Sequence, residues 1–449
     1  MRAPRFAFLF GFSFAKAALL CGLLKVCSVS LCSVACADEP PKFDDYFVNK
    51  AIRVELYNFG NATESTVALR DLYEEATWPE NPKSLISPFD YGKFAIKLFD
   101  EASGKLIFYK CFDSLFSEYI TTDPAIAGVK RVYESTTRCP MPKAKAKLQI
   151  ERRDREHTLA PVLAIEIDPA DYRIRREAIA GNDVTFELQN NGPDQQRVDI
   201  AFLAEGYTAD QLEKFRGDVK RLSDFLMTIE PYSSSKDKFN IRGVFRPSAE
   251  AGTDQPRQNS FKSTVLNSTY NIFDLDRYLL VEDNHAIHRM AAQVPHDVVV
   301  VVVNIDRYGG GGMYLDYCTT TADNPRSEMV FAHEFGHTFG YLADEYIGNV
   351  AYNDIYPSGI EPMEPNITRE TDRTKIKWKD LLTPNVPMPT TAAAENAASV
   401  VGAFEGGGYM KEGIFRPQLE CWMGSLNPNA KLCKVCQRAT QRMIDYYTK

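Results

Sequence analysis

The clearest chemistry in the sequence lies in Ala332-His333-Glu334-Phe335-Gly336-His337, where two histidines stand four residues apart and a glutamate comes directly after the first. On an α-helix, residues four apart share one face, one turn above each other. His333 and His337 can then aim both imidazoles at one zinc ion. Glu334 can stand beside the ion and accept a proton from a water that the metal activates. Met329, Val330, Phe331 and Phe335 are apolar and no proline falls between Glu328 and Phe339, so the segment is expected to be helical. The bland alternative is a helix that happens to carry two packed or solvated histidines. With only six histidines in 449 residues, that coincidence is the weaker reading.

A catalytic zinc needs a third protein ligand and one open position. Gly340 can adopt the left-handed conformation that ends a helix, after which the chain can turn back and bring an acid to the metal. The spacing resembles the metzincin pattern H-E-x-x-H-x-x-G-x-x-H/D, with one departure: the last ligand position holds Ala343, which has no ligating atom. The ligand is therefore expected one residue later, at Asp344, or two later, at Glu345. Asp344 is closer to the register. Glu361 and Glu364 could serve only from a later helix, which Pro357, Pro362 and Pro365 disfavour. Cys421-Trp422-Met423-Gly424-Ser425 fits the methionine turn that metzincins place under the metal; the alternative is an ordinary buried methionine.

Other chemistry-bearing residues read less sharply. Cys421, Cys433 and Cys436 lie close in sequence, and with Cys318 they could form a four-thiolate zinc site or two disulfides; an exported chain favours disulfides. Cys111 and Cys139 could pair elsewhere. Gly309 to Gly312 has no phosphate-binding context. It reads as a flexible loop or as a rim that lets a peptide backbone approach the cleft. Asn284, His285 and His288 are expected on a helix or the surface and not as ligands.

The elements that must position these residues fall into two halves. From Phe43 to about residue 175, period-two runs such as Ala51 to Leu56, Lys93 to Leu98, Ala146 to Ile150 and Leu163 to Ile167 alternate with turn residues, which predicts an antiparallel β-sandwich. This half shows no recognisable chemical cluster. After residue 181 the pattern changes to strands alternating with helices. Val198 to Leu203, Phe239 to Phe245 and the six valines Val298 to Val303 read as strands. Thr208 and Gln211 form a capping box before a helix carrying Leu212, Phe215, Val219, Leu222 and Leu226. A second helix is expected over Phe273 to Ala292.

Residues 1–37 carry Arg2, Arg5, Lys16 and Lys25, no acid, apolar runs and a closing Ala35-Cys36-Ala37, the pattern of a signal peptide. A membrane anchor fits less well, since lysines interrupt the apolar run; lipid attachment at Cys36 is the further alternative. The expected division is thus a signal peptide at 1–37, an accessory domain at 38–178 and a catalytic domain at 179–449, in a secreted, periplasmic or cell-surface protein. The net charge of −8 argues against a nucleic-acid partner, and no other apolar run reaches membrane-spanning length.

His333 to His337 together with Leu342-Ala343-Asp344-Glu345-Tyr346 resembles the signature of the IgA peptidase family of metallopeptidases. Asp199 to Thr208, Phe239-Asn240, Ser248 to Asp254 and Gly413 to Pro417 fit it as well. The resemblance implies a metzincin-like zinc peptidase domain with a twisted sheet and an active-site helix, preceded by a β-rich accessory domain, in a secreted or cell-surface bacterial endopeptidase. It does not imply immunoglobulin A as the target. The expected reaction is hydrolysis of a peptide bond, with His333, His337 and Asp344 holding Zn2+ and Glu334 as general base. A zinc amidase acting on cell-wall peptides is one alternative. A non-catalytic surface protein binding glycan or protein through its N-terminal domain is another.

Overall fold

In the first half of the chain, alternation of apolar and polar side chains builds two antiparallel sheets. The computed structural model describes residues 39–176, 183–348, 352, 355–392, 399–427 and 430–449. The expected signal peptide, Cys36, the boundary near 178 and residues 393–398 of the alanine-rich stretch lie outside them. Phe47–Gly60 is flanked by Ser65–Glu75 and Arg131–Pro142. Phe94–Asp100 is flanked by Leu106–Phe112 and Ala146–Arg153, and the latter pairs on with Leu159–Ile167. Ile52, Val54 and Leu56 of the first sheet and Phe94, Ile96, Leu98 and Ile150 of the second share one buried apolar cluster, as period-two side-chain alternation requires. Between the strands sits the short helix Leu115–Tyr119, started by Ser114, whose hydroxyl accepts the Phe116 amide.

The second half is built on a mixed sheet in the order Gly310–Gly312, Tyr317–Thr321, Val298–Val303, Val198–Glu205, Phe239–Phe245, Val184–Gln189. The four inner strands are parallel and the two outer ones antiparallel to their neighbours. Val299, Val301 and Val303 face one apolar cluster while Val298, Val300 and Val302 face another. Burial on both faces is why this strand is six valines and does not alternate with polar residues. The helices Leu212–Leu226, Ser327–Gly340 and Lys434–Thr448 contribute to the second cluster. The helix Asn284–Ala291 packs on the other side, between Val198–Glu205 and Arg131–Pro142 of the first half. The described residues from Pro40 to Lys449 form one compact unit.

Two local expectations need correcting. The helix expected over Phe273 to Ala292 begins only at Asn284, where the Asp283 carboxylate accepts the Ala286 amide as an N-cap. Phe273 and Asp274 have positive φ, 50° and 64°, and Leu280–Val281 pairs as a strand with Ser268–Thr269. Left-handed residues and a buried strand exclude a helix there. The glycine run, for its part, is ordered as an edge strand. A Cβ at Gly310 would stand 2.6 Å from Val330, and one at Gly312 2.6 Å from the Glu334 carbonyl and 3.0 Å from His337 Cβ. The strand is glycine because it is pressed against the helix Ser327–Gly340.

Candidate active site

The helix Ser327–Gly340 carries both histidines on one face, and its last turn sets the path of the chain beyond it. Gly340 is the final helical residue. The left-handed position falls on Tyr341, with φ 52°, and not on Gly340 as the sequence suggests. A Cβ at Gly340 would meet Leu342 at 3.1 Å and Thr440 at 3.2 Å, so this glycine answers to close packing. A tyrosine at positive φ is strained. It is held by ring stacking on Tyr91, with centroids 4.7 Å apart, and by its amide, which donates to the His337 carbonyl at 3.1 Å.

The chain then turns back beneath the helix. Asn366 clamps the turn, accepting the Ala343 amide at 2.8 Å and donating to the Ala343 carbonyl at 2.9 Å. The Asp344 carbonyl accepts the Gly408 amide, and the Glu345 amide donates to the Met423 carbonyl. These bonds bring Asp344 Oδ1 to 3.1 Å from His333 Nε2 and 3.5 Å from His337 Nε2. The two Nε2 atoms are 3.1 Å apart. Glu345 points the other way and contributes nothing to this group.

The orientation of each imidazole is set from behind. His333 Nδ1 donates to the Trp422 carbonyl at 2.8 Å and His337 Nδ1 to the Leu342 carbonyl at 2.5 Å. A carbonyl can only accept, so each Nδ1 carries the hydrogen and each neutral ring presents a lone pair at Nε2. Asp344 Oδ2 accepts the Tyr409 hydroxyl at 2.5 Å, while Oδ1 is buried with no hydrogen-bond donor. Three lone-pair atoms facing one another repel unless a cation, a proton or a metal ion, lies among them. Their separations are close to ~3.3 Å, the edge of a tetrahedron with bonds of ~2.0 Å to zinc. The donor set therefore fits a divalent ion, which His333, His337 and Asp344 would hold.

Electrostatics agree. Burial alone would lower the His333 pKa, but the Asp344 carboxylate outweighs it and raises the value to about 9. Burial would raise the Asp344 pKa, yet the two imidazoles hold it well below the usual carboxylate range. The site thus draws positive charge. Burial pushes the Glu334 carboxyl above its ordinary value, partly opposed by the two histidines. Its oxygen and the ring nitrogens of His333 and His337 all lie within 4.8 Å of one another.

Met423 packs against the helix that carries the histidines: a Cβ on Gly336 would stand 2.8 Å from its sulfur. Its turn is closed by the Gly424 and Ser425 amides donating to the Cys421 carbonyl. Above the histidines lies a cleft of about 190 Å³ of water-accessible space, walled by Gly310 to Gly312, Arg277, Tyr346, Tyr409 and Glu118. Sequence reasoning missed most of these. Glu118 comes from the first half, which showed no chemical cluster by sequence. Its Oε2 accepts the hydroxyls of Tyr278 at 2.8 Å and Tyr352 at 2.6 Å, and burial pushes its pKa up to about 7. Tyr346 bonds Arg277, and its place directly after Asp344-Glu345 was the available signal.

The remaining candidates lie elsewhere. His285 and His288 are on the expected helix but buried, not at the surface: His285 lies 3.1 Å from Glu134 and His288 2.7 Å from Asp316, and Asn284 donates to Asp316 as well. Glu361 accepts Thr368 and Glu364 accepts Tyr356, both away from the histidines. All six cysteines of the described residues are free thiols, which corrects the expected disulfides. Cys111 lies near Tyr109 and Arg153. Cys139 and Cys318 are buried on separate strands.

The donor set and the adjacent acid define a candidate metallohydrolase site. The family description IgA Peptidase M64 matches residues 186–396 and 391–444, and Peptidase M64 N-terminus matches residues 42–163. The chain belongs to the IgA peptidase M64 family, and a peptidase implies a protein or peptide substrate. No curated protein matches it. Among the described residues, no helix is long and apolar enough to cross a membrane.

Proposed function

We propose that the chain is a zinc-dependent endopeptidase with a metzincin-like catalytic half and a β-sandwich accessory half, exported through its N-terminal segment. The reading rests on one observation: His333 Nε2, His337 Nε2 and Asp344 Oδ1 face a common point, with spacings of 3.1, 3.1 and 3.5 Å. Zinc bound there would supply Lewis acidity to a water and to the scissile carbonyl. Glu334 is the general base, taking a proton from the attacking water and delivering it to the leaving amine. Burial, which raises its pKa, makes the Glu334 carboxylate a stronger base than an exposed one. The carbonyls of Trp422 and Leu342 and the Tyr409 hydroxyl hold the three ligands in orientation. An extended substrate lies along the edge strand Gly310–Gly312, which has no side chains to obstruct it. Soft thiolates are absent from this triad, and a two-imidazole, one-carboxylate set suits zinc.

The test is a casein digest with purified full-length protein and two variants. Glu334→Ala keeps bound zinc and loses activity by about 10²–10⁴-fold, the range of general acid–base catalysis. His337→Ala loses both zinc and activity. Normal turnover by either variant refutes the assignment, and a muropeptide digest run in parallel separates a protease from a cell-wall amidase.

A further inference from the structure

Directly behind the catalytic ligands lies a second group that the proposed reaction does not use. The sulfurs of Cys421, Cys433 and Cys436 and a carboxylate oxygen of Glu345 all lie within 4.8 Å of one another, and all four residues are buried. Cys421 and Cys436 sulfurs are 3.7 Å apart, and Glu345 Oε1 is 3.1 Å from Cys436 and 3.9 Å from Cys433. A disulfide requires ~2.03 Å between sulfurs. By contrast, ~3.7 Å is the edge of a tetrahedron with zinc–sulfur bonds of ~2.3 Å.

The carboxylate makes the stronger argument. Glu345 is 1% exposed. Asn366 donates to its Oε1 at 2.9 Å, while Oε2 is buried without a partner. Among the described residues no lysine, arginine or histidine forms an ion pair with it. An acid sealed among three thiols, helped only by the more distant charge of Arg416, is a costly arrangement. A cation in the middle removes the cost. The thiolates are provided for as well: the Cys433 amide donates to Cys421 Sγ at 3.3 Å and the Cys436 amide to Cys433 Sγ at 3.4 Å. Cys433 is the N-cap of the helix Lys434–Thr448, its sulfur accepting the Cys436 amide.

We propose that Cys421, Cys433, Cys436 and Glu345 bind a second, structural zinc ion. Soft thiolates with one carboxylate in a tetrahedral cage select zinc over calcium or magnesium. Four protein ligands leave no open position, which marks the site as structural and not catalytic. Its place gives it a purpose. Glu345 adjoins Asp344, and Cys421 adjoins Trp422, whose carbonyl orients His333. The ion staples the turn carrying Asp344, the turn carrying Met423 and the C-terminal helix into one unit.

Metal analysis of full-length protein, purified without chelator, tests this. Wild type is expected to hold two zinc ions per chain. The His333→Ala/His337→Ala variant, in which all four proposed ligands are untouched, retains one. Replacing that ion with cobalt gives a thiolate-to-cobalt charge-transfer band, and the three thiols resist alkylation until the ion is stripped. A Cys433→Ser/Cys436→Ser variant loses one ion if it folds, but the histidine variant decides without it. Absence of zinc from the folded histidine variant with zinc supplied, or a mass and alkylation pattern showing a disulfide among these cysteines, overturns the proposal. Failure of the catalytic reading looks different: wild type then holds a single ion, and the histidine variant keeps it.

Discussion

Asp344 and Glu345 are adjacent in sequence, yet they serve two clusters that differ in every respect that matters. Asp344 faces two imidazoles at the floor of a cleft, and three donors leave room for a water and a substrate. Glu345 faces three thiols in a sealed pocket with four donors and no opening. One peptide bond thus separates a group arranged to do chemistry from a group arranged to hold still. The same contrast explains which acid belongs to the histidines. Asp344 Oδ1 lies 3.1 Å from His333 Nε2, while Glu345 Oε1 lies 3.1 Å from Cys436 Sγ. The Glu345 amide bond to Met423 fixes which side each takes.

The largest effect that could break this contrast comes from Asp344. Asp344→Ala should act first on activity, lowering kcat/KM by at least about 10³-fold, since one of three donors to the ion is lost along with its charge. Glu345→Gln should do the opposite. As a ligand to an ion, Glu345 contributes stability, and its replacement should cost on the order of 2–4 kcal/mol in chemical denaturation. As an unpaired buried acid it would cost stability, and the same change would stabilise the protein. The sign of that one measurement separates the two accounts.

A smaller effect sharpens the catalytic side. Tyr409→Phe removes the hydroxyl donated to Asp344 Oδ2 and leaves the ring in place. Loss of such an outer hydrogen bond typically costs about 10–100-fold in metal affinity or activity, read here as a weaker zinc dissociation constant. An unchanged constant would mean that Tyr409 only packs.

An effect of comparable size, read in stability, concerns Glu118, the cleft residue contributed by the first half. Its folded pKa, about 7, lies above the ordinary 4.5, so the folded state binds more protons than the unfolded state between those values. The penalty for ionising Glu118 is absent below the unfolded pKa and grows as pH rises through the folded one. Glu118→Gln removes it, so the variant should gain on wild type by on the order of 1–3 kcal/mol between pH 4.5 and 8. Denaturation midpoints that differ by a constant amount across that range would contradict the assignment.

How much of this was legible in the sequence depends on the range of the interactions. His333, Glu334 and His337 could be read because one helical turn carries them and helical geometry is local. Asp344 could be preferred to Glu345 from the register alone, but the bonds from Asn366, Gly408 and Met423 that set the path of this turn come from residues 22 to 79 positions away and carried no local signal. The valine strand was visible as a buried strand, and the sheets of the first half were visible as alternation. Of the two readings of the glycine run, the flexible loop fails, because the glycines answer to a neighbour, the helix at 2.6 Å, while the rim of the cleft is where the run lies. Glu118 and Tyr409 carried no local signal at all. The cysteine cluster was half visible: Cys421, Cys433 and Cys436 were grouped, but the fourth member is Glu345 rather than Cys318, because Cys318 is committed to the central sheet.

The most direct test of the central claim is a crystal of the wild-type protein grown with zinc and measured at the zinc absorption edge. The account predicts an anomalous peak at the point equidistant from His333 Nε2, His337 Nε2 and Asp344 Oδ1. A well-ordered site with no peak there, in the presence of excess zinc at neutral pH, would contradict it.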